Sequence, residues 1–388
     1  MGEEEMWNSH LLSVAPKDSD ATAKEEDTCR WMVIHALKTW VGLIIKMVLA
    51  TGAAVFTAVM VALYPISLLI PTATINFVFK GLFKVGYCFY VFTPLGRWIH
   101  VRMVKSRRKS HTPHHTVNIH PTTLSTCDVI PVPILVDNYG YLIVDRATKQ
   151  CAAVDPADPD LICDLCERRN LTLTMILTTH QHHDHAGGNL ALKEVFPDLV
   201  VVGGKKDKCA GVTMPVSDGE RFSFGETQLQ AVETPCHTAG HMVFLVHGKN
   251  PSGSEQVEAM FSGDTLFIGG VGAFFHGGAR DMDRALNHTL RWIPDSAFVF
   301  CGHEYTVENT RFAEWLEPAN SEVRARCKWA VKKRAYREAT VPCSMGEERR
   351  LNPFLRVRDP AFAAHTERRL AKCGKRRATC WDMMFRGR

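Results

Sequence analysis

From Thr28 to Cys127 the chain contains no aspartate or glutamate. Within that stretch, Met47 to Phe79 is a run of 33 residues without a charge of either sign. About 20 apolar residues suffice to cross a bilayer. The run starts too late and is too long for a cleavable signal peptide, and a basic region follows it. Two motifs are also missing. There is no G-x-G-x-x-G, so no dinucleotide site is implied. There is no G-x-S-x-G, so a serine nucleophile on a strand–helix elbow is excluded. The 13 cysteines form no framework. An odd number, several of them in apolar strands, points to free thiols in a reducing compartment. Cys163-Asp-Leu-Cys166 has redox-motif spacing but no second pair for zinc, and it reads as packing on an amphipathic helix.

What the chain does contain falls into five segments. Residues 1–46 read as an acidic tail, with Glu3-Glu4-Glu5 and Glu25-Glu26-Asp27. Residues 47–70 read as a transmembrane segment, which Pro65 and Pro71 either end or bend into a hairpin. Residues 71–127 read as a basic juxtamembrane linker, with eight Lys or Arg between 80 and 109 against five in residues 1–46. That imbalance places the C-terminal side in the cytoplasm and suits an interface with anionic lipid. Residues 128–305 hold strand-like runs alternating with helical ones, and 306–388 are helical in pattern. Two sheets with helices outside, an αββα sandwich, fit this order.

The chemistry concentrates in Thr178 to Gly188, T-T-H-Q-H-H-D-H-A-G-G. The alternating Leu171 to Leu177 before it reads as a strand, and Gly187 to Phe196 after it as a helix. His180, His182, Asp184 and His185 therefore sit on a loop at a strand's C-terminal edge, where open α/β layers place ligands. A buried cluster of this kind needs a compensating cation, and imidazole with carboxylate suits zinc or iron. Three later runs each end in a further ligand beside a Gly or Pro: Thr234-Pro-Cys-His237, Ser262-Gly-Asp264 and Cys301-Gly-His303. One metal would take His180, His182 and His237, and a second Asp184, His185 and His303. Asp264 would bridge them, with room left for water.

H-x-H-x-D-H, T-P-x-H-T-x-G-H, S-G-D-T-L-F and C-G-H-E-Y, in that order, resemble the metallo-β-lactamase superfamily. Within it they look like glyoxalase II, the hydroxyacylglutathione hydrolases, and like a membrane-anchored branch of that family. The resemblance covers about Asp128 to Arg358. It implies the metallo-β-lactamase sandwich with a C-terminal helical substrate-binding domain, and two Zn, or mixed Zn/Fe, per chain. The implied reaction is hydrolysis of hydroxyacylglutathione, such as S-lactoylglutathione, or a related thioester by a hydroxide shared between the metals, with Asp184 and Asp264 as catalytic carboxylates. The expected partners are that small thioester and membrane lipid, and not nucleic acid. Tyr305 matches a substrate contact of the family. The family's G-C-G-K-F-Y becomes Gly270-Val-Gly-Ala273-Phe-Phe275, which removes a cation at Ala273 and a hydroxyl at Phe275. Arg376 and Arg377 are the candidate replacements. His241 reads as supporting the ligands rather than joining them. Two alternatives stand beside this reading: a mononuclear iron persulfide dioxygenase, and a non-catalytic membrane-anchored interaction protein with a retained metal site.

Overall fold

The computed structural model describes residues 116–372, except 250 and 251, with a few isolated positions between 93 and 102. The chain divides into two compact units, Met1–Val85 and Gly86–Arg388, and the described residues belong to the second. The expected acidic tail, the transmembrane segment 47–70, most of the basic linker and Arg376 and Arg377 lie outside the described residues. No helix among the described residues is long and apolar enough to cross a membrane.

The first sheet holds seven strands in sequential order. They are β1 (Thr122–Thr123), β2 (Cys127–Ile134), β3 (Asn138–Asp145), β4 (Gln150–Val154), β5 (Thr172–Thr178), β6 (Val200–Gly204) and β7 (Met214–Val216). The first four pair antiparallel through short turns, and β4 to β7 run parallel. Parallel pairing requires crossovers. Helix α1 (Pro159–Arg169) supplies the first, and α2 (His183–Ala186) with α3 (Asn189–Val195) the second. Asp158 caps α1 by accepting from Leu161 N at 3.1 Å, Pro159 occupies its first turn, and Asn170 ends it in the left-handed conformation.

The second sheet runs β15-β14-β11-β10-β9-β8. Its strands are β8 (Arg221–Phe224), β9 (Thr227–Glu233), β10 (Met242–Lys249), β11 (Glu255–Gly263), β14 (Phe298–Cys301) and β15 (Cys343–Ser344), and a small hairpin joins β12 (Leu266–Phe267) to β13 (Gly270–Val271). Side chains of a strand alternate between faces. Val129, Tyr141, Ile143 and Leu177 of the first sheet therefore meet Leu229, Phe244, Phe261 and Phe300 of the second in one core. Ile130, Leu142, Ala153 and Ile176, one step away, face Ile162 and Cys166 of α1 and Leu192 of α3 in another. Cys151 Sγ lies 3.7 Å from Cys166 Sγ in that second core. Residues of α4 (Ala279–Arg284), the π-turn that follows it, α5 (Thr306–Leu316), α7 (Met345–Leu351) and α8 (Pro360–Lys372) pack into the core of the second sheet, and α6 (Ser321–Ala335) packs on α5. The αββα sandwich with a C-terminal helical region is the fold.

Two expected boundaries fall inside hydrogen-bonded structure. β1 lies ahead of residue 128 yet pairs with β2, so the sheet begins within the expected linker. β15 lies beyond residue 305 yet pairs with β14, so the helical region lends a strand to the second sheet instead of standing apart. Short strands escape a pattern search because two residues carry no periodicity. Helix α6 ends at Ala335, and two residues on Arg337 takes a φ of 55°.

Asp145 joins the sheets at the end of β3. Fully buried, it accepts from Thr148 N and Oγ1 at 2.9 and 2.8 Å, and from Glu226 N and Thr227 Oγ1 at the β8–β9 turn, both at 2.9 Å. Burial alone would raise its pKa, but these donors hold the carboxyl below its ordinary value. Asp145→Ala strands several buried donors, each worth about 1–3 kcal/mol. We expect urea unfolding to show a loss of about 2–4 kcal/mol. Because the folded-state pKa is depressed, the contribution of Asp145 is present above the ordinary carboxylate range and is lost as pH falls through the folded value. The gap between wild type and variant should therefore shrink below about pH 4.

Candidate metal centre

Each candidate ligand stands just beyond the C-terminal end of a strand. His180 and His182 follow β5, His237 follows β9, Asp264 follows β11, and His303 follows β14. Asp184 and His185 lie on the short helix α2, not on the expected open loop. The turn of helix carries them back over the strand ends. Gly263 has a φ of 47°, and a Cβ there would come within 2.6 Å of Thr179 Oγ1 and 2.8 Å of His241 Nε2. A Cβ on Gly302 would lie 2.4 Å from Asp264 Oδ1. These two glycines allow Asp264 and His303 to close on the histidines.

The side chains converge in three groups, each with ligand atoms within 4.8 Å of one another: His180, His182 and His237; His180, His185 and Asp264; Asp184, His185 and His303. Asp264 lies between the outer groups. Its Oδ2 is 3.4 Å from both His237 Nε2 and His303 Nε2, and its Oδ1 is 3.4 Å from His185 Nε2. All are buried except the Asp184 side chain, which is 39% exposed.

Most of the imidazoles are held from outside by their second nitrogen. His185 Nδ1 is 2.9 Å from Asp155 Oδ2, His303 Nδ1 is 3.1 Å from Asp137 Oδ1, and His237 Nδ1 donates to the Ala273 carbonyl at 2.8 Å. His180 Nδ1 is 3.0 Å from Thr179 Oγ1, whose hydroxyl donates to Asp155 at 2.7 Å. These bonds turn Nε2 of each ring inward. The buried Nε2 atoms of His180 and His185 make no hydrogen bond. Native proteins seldom leave such atoms unsatisfied. Convergent, unsatisfied, outwardly braced nitrogens beside a central carboxylate are what divalent cations require.

Burial and neighbouring imidazoles hold His180 and His241 well below the ordinary histidine value, and bring His182 down to about 3. Burial likewise pushes His237 down. Burial opposes charge on His185 too, but Asp264, Asp184 and Asp155 outweigh it and lift the ring to about 9. Asp264 with its neighbour Asp137 does the same for His303. The carboxylates thus favour the charged form of His185 and His303, while burial favours the neutral form of the other rings.

His241 stays outside the three groups. Its Nε2 accepts from Asp264 N at 3.1 Å, its Nδ1 lies between Thr234 and Thr265, and its ring stacks on His180 with centroids 5.0 Å apart. Tyr305 stacks on His303 at 4.8 Å. Phe275, 49% exposed, stands 5.6 and 5.1 Å from the rings of His182 and His237, with Ala273 exposed beside it. The β12–β13 hairpin that leads to this loop is held by α7: Glu348 accepts from Gly269 N at 2.8 Å, and Asn352 donates to Gly270 O at 3.1 Å. Asp155, Asp137, Asn138 and Asp207 were not picked out from sequence. Asn138 donates to Asp184 Oδ2 at 3.1 Å, and Asp207 accepts from Thr238 Oγ1 and Gly240 N. Asp155 alone carries a signal, an acid directly after β4.

Over 233 residues the chain is 42% identical to the cytoplasmic hydroxyacylglutathione hydrolase of Arabidopsis thaliana, spanning 60% of this chain and 89% of that protein. The chain belongs to the hydroxyacylglutathione hydrolase family. It is therefore an enzyme of the thioester hydrolase type. Residues 304–380 also match the family model for the hydroxyacylglutathione hydrolase C-terminus, which covers the helical region. Among solved structures, ETHE1 from Myxococcus xanthus aligns over 63% of this chain and 90% of its own at 23% identity and a TM-score of 0.42. A metallo-β-lactamase from Staphylococcus aureus aligns over 64% and 68% at 18% identity and a TM-score of 0.44.

We expect Asp264→Ala to lose both metals, read as metal per chain by plasma emission spectrometry. Wild-type content in that variant would be incompatible with a central carboxylate shared by both groups. Asp155→Ala removes the outer partner of His185 and of Thr179 together. Metal affinity should fall about 10–100-fold in a chelator competition, since outer partners of ligands have effects of that size.

Proposed function

We propose that this family member is a dinuclear metallohydrolase of glutathione-linked thioesters, such as S-D-lactoylglutathione, tethered to a membrane by residues 47–70 with its catalytic unit in the cytoplasm. The observation that carries the chemistry is the pair of ligand groups sharing Asp264. His180, His182 and His237 would hold one cation, and Asp184, His185 and His303 the other. Zinc, or a zinc and iron pair, suits this donor set. When bound, such cations supply a water acidified toward neutral pH and a Lewis acid for the thioester carbonyl.

The chain's own residues do the rest. The outer hydrogen bonds of His185, His237 and His303 fix which nitrogen faces the reacting groups. Asp184, exposed toward solvent and oriented by Asn138, can accept a hydrogen bond from the attacking water and aim its lone pair at the carbonyl carbon. The leaving thiolate needs little help from an acid, because a thiol has a pKa of about 8.5. Phe275 forms an apolar wall beside His182 and His237, and Ala273 offers only a backbone carbonyl, already taken by His237. The substrate group that lies there meets no cation from this loop. The membrane tether rests on the charge-free run and on the basic residues after it.

The test is metal-dependent hydrolysis of S-D-lactoylglutathione by the full chain, beside a panel of acyl-CoA thioesters. Turnover that vanishes on chelation and returns with zinc supports the reading. Turnover of acyl-CoA alone would move the substrate to another thiol. Ala273→Lys should lower KM for the glutathione thioester about tenfold with kcat little changed, since a charge-assisted hydrogen bond is worth about 1.5–3 kcal/mol. An unchanged KM would mean that the thiol portion does not pass this loop.

A further inference from the structure

Helix α6 buries Val323, Cys327 and Ala330 on one face. Arg324, Lys328, Val331, Lys332 and Ala335 follow at three- and four-residue steps on the opposite face, and all are exposed. The one acid of the helix, Glu322, faces Arg350 at 3.6 Å, and Glu338 beyond the helix end binds Lys333 at 2.5 Å. Neither Lys328 nor Lys332 takes part in an ion pair among the described residues. Glu338 lies within electrostatic reach of Lys332 as well as Lys333, so the stripe presents more cations than carboxylates.

Apolar side chains gather at its C-terminal end. Val331 is 41% exposed, and Tyr336, just past the helix, is 63% exposed. The segment that arrives from the N-terminal part of the chain is hydrogen-bonded to this same place. Val117 N donates to Arg337 O at 2.9 Å, and Asn118 Nδ2 donates to Tyr336 O at 3.0 Å. Val117 itself is 48% exposed. The sequence that leads to Val117 carries eight Lys or Arg between 80 and 109 and no acid back to Thr28. A basic helix face edged by a tyrosine and two valines, continuous in chain with a basic segment and a charge-free run, matches a surface that carries anionic headgroups over an apolar interior.

We propose that this face of α6, with Val117 and Tyr336 at its end, lies on an anionic bilayer. Lys328 and Lys332 meet the headgroups, and Tyr336 and the valines reach the interfacial zone. The proposal rests on the reading of 47–70 as a membrane anchor and adds the orientation of the catalytic unit. The side of α6 away from the stripe packs against α5, whose first residue follows Tyr305.

The full chain is reconstituted in nanodiscs of phosphatidylcholine, with or without phosphatidylserine, and its lysines are labelled with an amine-reactive reagent. Lys328 and Lys332 should label about threefold or more slowly when phosphatidylserine is present, because a lysine at such a surface is worth about fivefold in partitioning. The exposed Lys149 and Lys249 keep their rates. High salt should abolish the difference. In Lys332→Glu/Tyr336→Ser, Lys328 should label as it does on phosphatidylcholine. Carbonate washing of membranes reads the anchor separately. Retention in carbonate with unprotected Lys328 and Lys332 overturns the proposed face and leaves the anchor standing. Loss in carbonate with phosphatidylserine-dependent protection supports the face and removes the anchor. Equal protection by soluble polyglutamate would assign the face to an acidic protein and overturn the lipid assignment.

Discussion

The hydrogen bond on the outward nitrogen of His180, His185, His237 and His303 is the interaction on which the site depends. An imidazole can offer a lone pair on one side only if its proton is held on the other. Asp155 does this for His185 directly and reaches His180 through Thr179, and it sits at the end of β4, next to β5 in the sheet. Asp137 does it for His303 from the turn between β2 and β3. The first sheet therefore supplies outer partners for ligands on both sheets. Asp145, at the other end of β3, ties the two sheets together there.

The charge balance follows from the same arrangement. Burial would empty a cluster of carboxylates of its charge, yet Asp264 is held well below the usual carboxylate range, chiefly by His303 and His185 against the effect of burial. Cations binding between the groups would take over that role and release the protons that these rings carry. Metal binding there would thus be linked to proton release.

The convergent cluster was legible because His180, His237, Asp264 and His303 each come just after a strand run, and because His180, His182, Asp184 and His185 fall within six residues. The sandwich was legible because β2, β5, β9 and β11 are long enough to show their alternation. The outer partners were not, since Asp137 lies 166 residues from His303 and Asp155 lies 30 from His185, separations over which no local pattern runs. Strands of two residues, such as β1 and β15, carry no periodicity, so the expected boundaries at 128 and 306 missed them. The helical turn His183–Ala186 has the sequence pattern of a loop, because four residues are too few to show a face.

β11 and β14 pair in parallel, with Gly263 opposite Cys301, so the backbones that carry Asp264 and His303 are fixed by the same ladder. Ala273 and Phe275 hang on the long connection between those two strands, outside that ladder. Changes in this connection leave the register of the strands alone. Residues of this connection, Ala273 and Phe275 among them, can therefore change without disturbing the backbones that carry Asp264 and His303. What the ladder holds fixed and what the connection leaves free are separate parts of the fold.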